Sequence, residues 1–234
     1  MQETQCGTTA KLVWRDMSRE DCIVFTILTL GLIALSVYRS TTHLLWPDEI
    51  LGYRLLATPT VKGMLRGWFE GADGGGLLYY LFARLWTKMF GLSEVTLRSF
   101  STLGMLISMF FIWVCGRRFA TTLLVAIAVT VVYLIPVEFL WQASDGRFYG
   151  MFLASAALCS LLFLIGTTNK PTPSLLIWTA LAHTFLAGSH ILEAVYSGFL
   201  VLRMLLVGKA RGQLPLASAA AFRLASHSVL LACC

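Results

Sequence analysis

Two adjacent carboxylates, Asp48 and Glu49, lie in the stretch HLLWPDEILGY, which follows the first long apolar run of the sequence. A carboxyl group that is partly removed from water at an apolar boundary has a raised pKa and becomes a better proton acceptor. The pair could therefore supply a general base. The alternative is a solvated acid pair in a loop, and position along the chain does not distinguish the two.

A second polar stretch, QASDGRFY, places Asp145 and Arg147 on either side of Gly146. If these side chains line a cavity that Asp48 also faces, the site would hold two acids and a guanidinium suited to binding phosphate. Asp48 and Asp145 could then also hold a divalent cation such as Mg²⁺ or Mn²⁺ through oxygen ligands. The alternative is a polar turn whose ion pair contributes little at the surface.

Two further ionisable residues, His190 and Glu193, lie in AGSHILEAVYSG between two apolar runs. An ionisable group at membrane depth usually faces the protein interior or a wet cavity, so both are candidate binding residues. Glu193 could equally be shallow enough to reach interfacial water. The three glycines at 74–76 lack the following Lys and Ser or Thr of a nucleotide-binding loop, which argues against that kind of site.

The composition places these residues in a membrane protein. Of the 234 residues, 57% are hydrophobic and 13% charged, and the mean hydropathy is +0.75, whereas an ordinary soluble domain is about one quarter charged. Long apolar runs predict an all-α, polytopic membrane helix bundle with about six or seven spans. The predicted spans are 22–37, 97–115, 119–140, 148–165, 174–188 and 191–207, followed by an incomplete one at 214–234.

Lys and Arg residues in the short loops predict the orientation of these spans. Arg15 and Arg19 place the tail of residues 1–21 in the cytoplasm, and the module at 22–213 then places Arg117 on that side as well. The net charge of +6 is spread over such loops and forms no patch, which argues against nucleic acid as a partner.

One long outer segment, about residues 40–96, follows from this topology. It contains LLYYLFARLWTKMF, which is too short to span a membrane. Leu77, Leu81 and Leu85 recur there at four-residue spacing, which predicts an amphipathic helix that lies in the membrane interface. The stretches around Asp48 and Asp145 should then face the same, outer side.

Four stretches carry a family resemblance: LLWPDEILGY, LLYYLFARLWTKMFGLSEVTLRSFSTL, GRRF and ASDGRFYGMFLA. In this order and spacing they resemble the integral-membrane glycosyltransferases that use polyprenyl-phosphate sugars. That superfamily includes protein O-mannosyltransferases, the aminoarabinose transferase of lipid A and transferases that decorate lipopolysaccharide core. The resemblance covers about residues 46–163, and the remainder follows only in hydropathy.

The resemblance implies transfer of a sugar, with inversion, from a polyprenyl-phosphate donor to a lipid, glycan or protein acceptor. The site would face the outer side of a bacterial inner membrane, with an apolar groove for the lipid tail. Asp48 would be the catalytic base, Glu49 its neighbour and Asp145 the second acid, while Arg147 and His190 would offset charge on the departing phosphate. The other predicted substrate-binding residues are Tyr53, Tyr79, Tyr80, Tyr149 and Glu193.

Two features depart from the family pattern. Relatives commonly have Lys or His with prolines before the LYY element, where this sequence has GADGGG. Such enzymes also have more membrane helices, and the run at 214–234 reads as a span cut short, which predicts a C-terminally truncated chain. The alternative function is a non-catalytic membrane protein that binds a polyprenyl lipid or a partner helix through the same cavity. A transporter is disfavoured because no internal repeat is visible.

Overall fold

The computed structural model describes residues 17–168, 172–189, 195–200 and 202–203. Over these residues the fold is all-α and has no strand, which confirms the all-α part of the predicted fold class. The helices are α1 (Arg19–Thr42), α2 (Pro47–Ala57), α3 (Val61–Phe69), α4 (Leu77–Phe90), α5 (Glu94–Gly116), α6 (Thr122–Val129), α7 (Val137–Ser144), α8 (Tyr149–Thr168) and α9 (Pro173–Ser189), with a π-helical turn (Thr130–Leu134) after α6. The predictions for His190, Glu193 and the run at 214–234 lie outside the described residues.

Within the described part of the chain, α1, α5 and α8 are long and apolar enough to cross a membrane. A fourth candidate span results if α6, the π-helical turn and α7 are counted as one span. The chain bends by 70° between the π-helical turn and α7. The structure therefore shows three to four candidate spans, and the larger predicted count of six or seven is not shown. The predicted span at 174–188 corresponds to α9, a helix of 17 residues.

The predicted span at 119–140 is the one that the structure breaks. Pro136 lies between the π-helical turn and α7, and it has extended backbone angles as the N-cap of α7. Proline cannot donate a backbone hydrogen bond and clashes with the preceding turn, so a helix bends or ends there. The five residues Thr130–Leu134 adopt the wider π-helical geometry just before this break.

Helices α1 and α5 run antiparallel and are fastened together at both ends. At one end, Asp21 near the start of α1 accepts hydrogen bonds from Arg117 Nε at 2.6 Å and from Thr122 Oγ1 at 2.8 Å. At the other end, Arg98 near the start of α5 donates to the carbonyl oxygens of Ser40 and His43 at 3.0 and 2.8 Å. We call this second end, where α1 ends and α5 and α8 begin, the site end.

Small residues let α5 and α8 approach until their backbones touch. A Cβ on Gly150 would clash with the carbonyl oxygen of Ser101, and a Cβ on Gly104 would clash with the Gly150 backbone. Close contact through small residues is the usual packing of membrane helices. The Thr102 hydroxyl also donates to the Ala143 carbonyl oxygen at 2.8 Å. A side chain of α5 therefore supplies a hydrogen bond to a carbonyl group in the last turn of α7. These contacts fix the loop between α7 and α8 at the site end.

Helix α4 buries its polar and aromatic face and exposes an apolar one. Tyr79, Tyr80 and Arg84 are buried, and the Arg84 guanidinium donates to two carbonyl oxygens of the α2–α3 segment. Leu85 and Met89 are more than half exposed. The predicted position of α4 in the membrane interface stays a prediction.

Candidate functional site

The start of α2 sends its two acids in different directions. Trp46 is the N-cap and Pro47 the first helical residue, where proline is well tolerated. The Glu49 carboxylate turns back and accepts a hydrogen bond from the Trp46 backbone N–H at 2.9 Å. Because successive helical residues are about 100° apart, Asp48 points elsewhere, and its side chain is 70% exposed.

Glu49 forms a fully buried ion pair with Arg98. Arg98 Nε and Nη2 donate to the two Glu49 oxygens at 3.0 and 2.9 Å, and the two side chains are 2% and 0% exposed. The backbone N–H of Gly146 donates to Glu49 Oε1 at 2.6 Å. Burial alone would raise the pKa of Glu49, but these hydrogen bonds, with that from Trp46, outweigh it and hold the pKa below its ordinary value. Glu49 thus joins α2, α5 and the α7–α8 loop.

Arg147 lies between two acids from different parts of the chain. Its Nη1 contacts Asp48 Oδ2 at 2.7 Å, and its Nη2 donates to Asp73 Oδ1 at 3.2 Å. Asp73, in the α3–α4 loop, is only 7% exposed. Its other oxygen accepts a hydrogen bond from the Tyr80 hydroxyl. The predicted meeting of Asp48 with the Asp145–Arg147 loop is therefore present in the structure.

Asp145 is a half-buried acid with an unusual pKa. Burial, and after it the negative charge of Glu49, raise the pKa of the Asp145 carboxyl to about 6, against the opposing charges of Arg98, Arg39 and Arg147. Its carboxylate forms no hydrogen bond or ion pair with any other residue that the structure describes. A carboxyl with this pKa exists in both protonation states near neutral pH, as acid–base groups do.

The predicted tyrosines also gather at the site end, in several roles. The buried Tyr79 hydroxyl donates to the Gly146 carbonyl oxygen at 2.6 Å, and burial, with the charge of Asp73 next, raises its pKa. Tyr53 is partly buried against the apolar cluster that contains Tyr79 and Tyr80. Tyr149, at the start of α8, contacts Phe148 with ring centroids 4.7 Å apart and the ring planes tilted by 41°. Tyr79 and Tyr80 thus position the polar groups around Arg147.

An apolar groove of about 340 Å³ lies between α4, α5, α8 and α9. Its lining includes the exposed side chains of Phe82, Ile107 and Trp178, so the groove opens to the outside of the described helices. Phe100 on its wall lies 6.0 Å, centroid to centroid, from Tyr79. The Tyr79 hydroxyl in turn donates to the loop that carries Arg147. Tyr79 thus links the groove to the polar cluster, by which we mean Asp48, Asp73 and Arg147.

Comparison with models of protein families, with curated proteins and with solved structures finds no match to this chain. The family resemblance therefore stays a prediction from the quoted motifs. The polar cluster itself stands on the geometry given above.

Sequence reasoning missed two residues of this region, Asp73 and Arg98. Arg98 carries a signal that could have found it, because a guanidinium inside the predicted span 97–115 must have a buried partner. Asp73 has no such signal. It stands in GADGGG, whose composition indicates only a loop, and its partner Arg147 is 74 residues away.

The predicted divalent cation remains a prediction. Among residues 17–168 and the later described segments, no three His, Cys, Asp or Glu side chains gather as a metal site. Asp48 has one oxygen paired with Arg147 and a second with no hydrogen-bond partner in the described part of the chain. An ion held by Asp48 and Asp145 would therefore take most of its ligands from water or from a bound phosphate, as Mg²⁺ commonly does.

Proposed function

We propose that this chain is a membrane glycosyltransferase that moves a sugar from a polyprenyl-phosphate donor to a lipid, glycan or protein hydroxyl. The observation that supports it most is one cluster. At the site end the exposed carboxylate of Asp48 pairs with the guanidinium of Arg147, and the half-buried Asp145, two residues from Arg147, lies within reach of the Arg147 charge, beside an apolar groove. This set offers a base, a second acid and a phosphate partner next to space for a lipid chain.

Asp48 is the proposed base because it is the acid that reaches solvent. The acceptor oxygen attacks the anomeric carbon from the face opposite the phosphate, so the new carbon–oxygen bond forms as the bond to the phosphate oxygen breaks. The acceptor proton passes to Asp48, and the configuration at the anomeric carbon inverts. Glu49 is fully buried and already accepts four N–H groups, so we assign it to holding the site together.

Arg147 and Asp145 serve the leaving group in this proposal. The polyprenyl phosphate departs with its bonding electron pair and gains negative charge, which the Arg147 guanidinium offsets through charge-assisted hydrogen bonds. Asp145, with its pKa of about 6, can carry a proton near the phosphate or help to hold a divalent ion such as Mg²⁺ or Mn²⁺. The groove between α4, α5, α8 and α9 would hold part of the donor's tail.

The proposed location is a bacterial inner membrane, with the N-terminus in the cytoplasm and the site end at the outer face. The three to four apolar helices support a membrane location. The basic turn at Arg117 lies at the end opposite the site, as the distribution of positive charge requires for this orientation.

The test is a transfer assay with membranes that contain the chain and a panel of labelled polyprenyl-phosphate sugars. We expect transfer from at least one donor and a loss of about 10²- to 10⁴-fold in Asp48→Asn, as for removal of a general base. Glu70→Gln is the matched control because Glu70 is another exposed acid paired with an arginine. Asp48→Asn turnover equal to that of wild type would remove Asp48 from the mechanism. Lipid binding without transfer from any donor would favour the non-catalytic alternative.

A further inference from the structure

We infer that Arg147 exchanges partners when an anion binds: Asp73 and Tyr80 hold its guanidinium in place, whereas Asp48 is a replaceable partner whose position the phosphate group of a phosphate ester takes. This inference deepens the proposed function, on which it rests for naming the anion a phosphate ester. Asp73 is the new element, as a positioning residue for the phosphate-binding arginine.

The two acids that contact Arg147 differ in how firmly they are held. Asp73 is 7% exposed, and it also accepts hydrogen bonds from the Tyr80 hydroxyl and from the Gly74 backbone N–H, the latter at 2.8 Å. Asp48 is 70% exposed, and Arg147 is its one charged partner among the described residues. An ion pair in water is worth little, while a buried and hydrogen-bonded one is hard to break.

The surroundings of Asp73 are also closely packed. A Cβ on Gly75 would come within 3.0 Å of the Tyr80 ring, and one on Gly52 within 3.5 Å of the Tyr80 hydroxyl oxygen and 3.8 Å of Asp73 Oδ2. The glycines therefore leave just enough room for the Tyr80–Asp73 contact. Nη1 pairs with the exposed Asp48, whereas Nη2 is engaged by the buried Asp73, so an incoming anion would reach the guanidinium from the Asp48 side, at Nη1.

Arg147 has donor capacity that its present contacts do not use. Its Nε is buried without a hydrogen-bond partner among the residues that the structure describes. A phosphate offers more acceptor oxygens than the single Asp48 oxygen, so it can accept charge-assisted hydrogen bonds from both N–H groups of Nη1. When phosphate replaces Asp48 on Nη1, the Asp48 carboxylate becomes free to contact an acceptor hydroxyl. Donor binding would in this way release the proposed base.

The test measures binding of farnesyl phosphate, a short polyprenyl phosphate, to the full chain in detergent, with farnesol as the neutral control. Asp48→Asn removes the internal competitor, so we expect up to about fivefold tighter binding, the size of one exposed ion pair. Asp73→Asn and Tyr80→Phe loosen Arg147, so we expect weaker binding, by about fivefold or more. Farnesol binding should change in none of the three, and Glu70→Gln should behave as wild type.

The opposite effects of the two aspartate variants are the decisive result. Simple electrostatics predicts that removal of either negative charge strengthens anion binding, so equal tightening in both variants would overturn the inference. Weaker binding in Asp48→Asn, unchanged binding in Tyr80→Phe, or no preference of wild type for farnesyl phosphate over farnesol would overturn it as well. Tyr80→Phe gives the answer if Asp73→Asn does not fold. The expected pattern without sugar transfer would retain the phosphate site and reject the proposed function.

Discussion

Replacement of Glu49 by glutamine tests whether the buried ion pair holds the site end together. Glutamine has the same shape but no charge, and it keeps only one of the two oxygens that accept N–H groups from Arg98, Gly146 and Trp46. Its amide nitrogen would face N–H groups, with which it cannot form a hydrogen bond. The Arg98 guanidinium, 2% exposed, would then stay buried without its counter-charge.

The size of the effect follows from this burial. Removing one partner of a buried ion pair typically costs about 3–5 kcal/mol, because the other charge is left uncompensated. For a chain of this length, each kcal/mol lowers the midpoint temperature of thermal unfolding by about 2–4 °C, so the midpoint of Glu49→Gln should fall by roughly 6–20 °C. The carbonyl oxygens of Ser40, His43 and Leu44, which also accept from Arg98, reduce this cost toward the lower end.

The measurement is thermal unfolding in detergent, with the free energy of unfolding taken from denaturant titration. Glu70→Gln is the matched control, because Glu70 pairs with Arg66 at 2.8 Å but the two side chains are 62% and 80% exposed. We expect that control to change stability by less than about 1 kcal/mol. If Glu49→Gln were no more destabilising than Glu70→Gln, the pair with Arg98 would not hold the site end together, and the assignment of Glu49 to structure would be wrong.

Two further predictions concern stability. The Asp145 carboxyl has its pKa raised from 3.8 to about 6, so its contribution to stability is complete below pH 4 and is lost as the pH rises through about 6. Between pH 4 and pH 7 the free energy of unfolding of Asp145→Asn should therefore rise, relative to that of wild type, by up to about 3 kcal/mol. A difference between the two proteins that is the same at both pH values would contradict this. Gly150→Ala should push α8 away from the Ser101 carbonyl oxygen. Its free energy of unfolding, measured by denaturant titration, should fall by about 1–3 kcal/mol. Gly198→Ala is the control, because a Cβ there meets no other described residue within 4 Å, and it should lower the free energy of unfolding less. Equal losses in the two variants would contradict the close contact between α5 and α8.

The sequence predicted the membrane helices better than their continuity. Hydropathy along 22–37, 97–115 and 148–165 predicted α1, α5 and α8, because a long apolar run has no other stable form in lipid. At 119–140 the same measure averaged over Pro136 and gave one span where the structure has a 70° bend. Hydropathy reports the cost of leaving water, and it carries no information on a missing backbone N–H.

Residue types and sidedness predicted which stretches meet at the site end, but they could not predict how the charges pair there. The Asp48 and Asp145 stretches meet as expected, through Arg147. The pairing of Glu49 with Arg98 spans 49 residues of sequence, and that of Arg147 with Asp73 spans 74. Such pairs depend on how α4 and α5 pack, which no local pattern contains.

Two neighbouring acids can do different work at this position because a helix begins immediately before them. Pro47 starts α2, so Asp48 and Glu49 differ by about 100° in direction. Asp48 is 70% exposed and pairs with Arg147, whereas Glu49 is fully buried and accepts four hydrogen bonds. A base must meet substrate and lose its contacts readily, whereas a fastening residue must do neither. A swap of the two positions would require a helix start shifted by one residue, so the start of α2 at Pro47 determines which acid is exposed and which is buried.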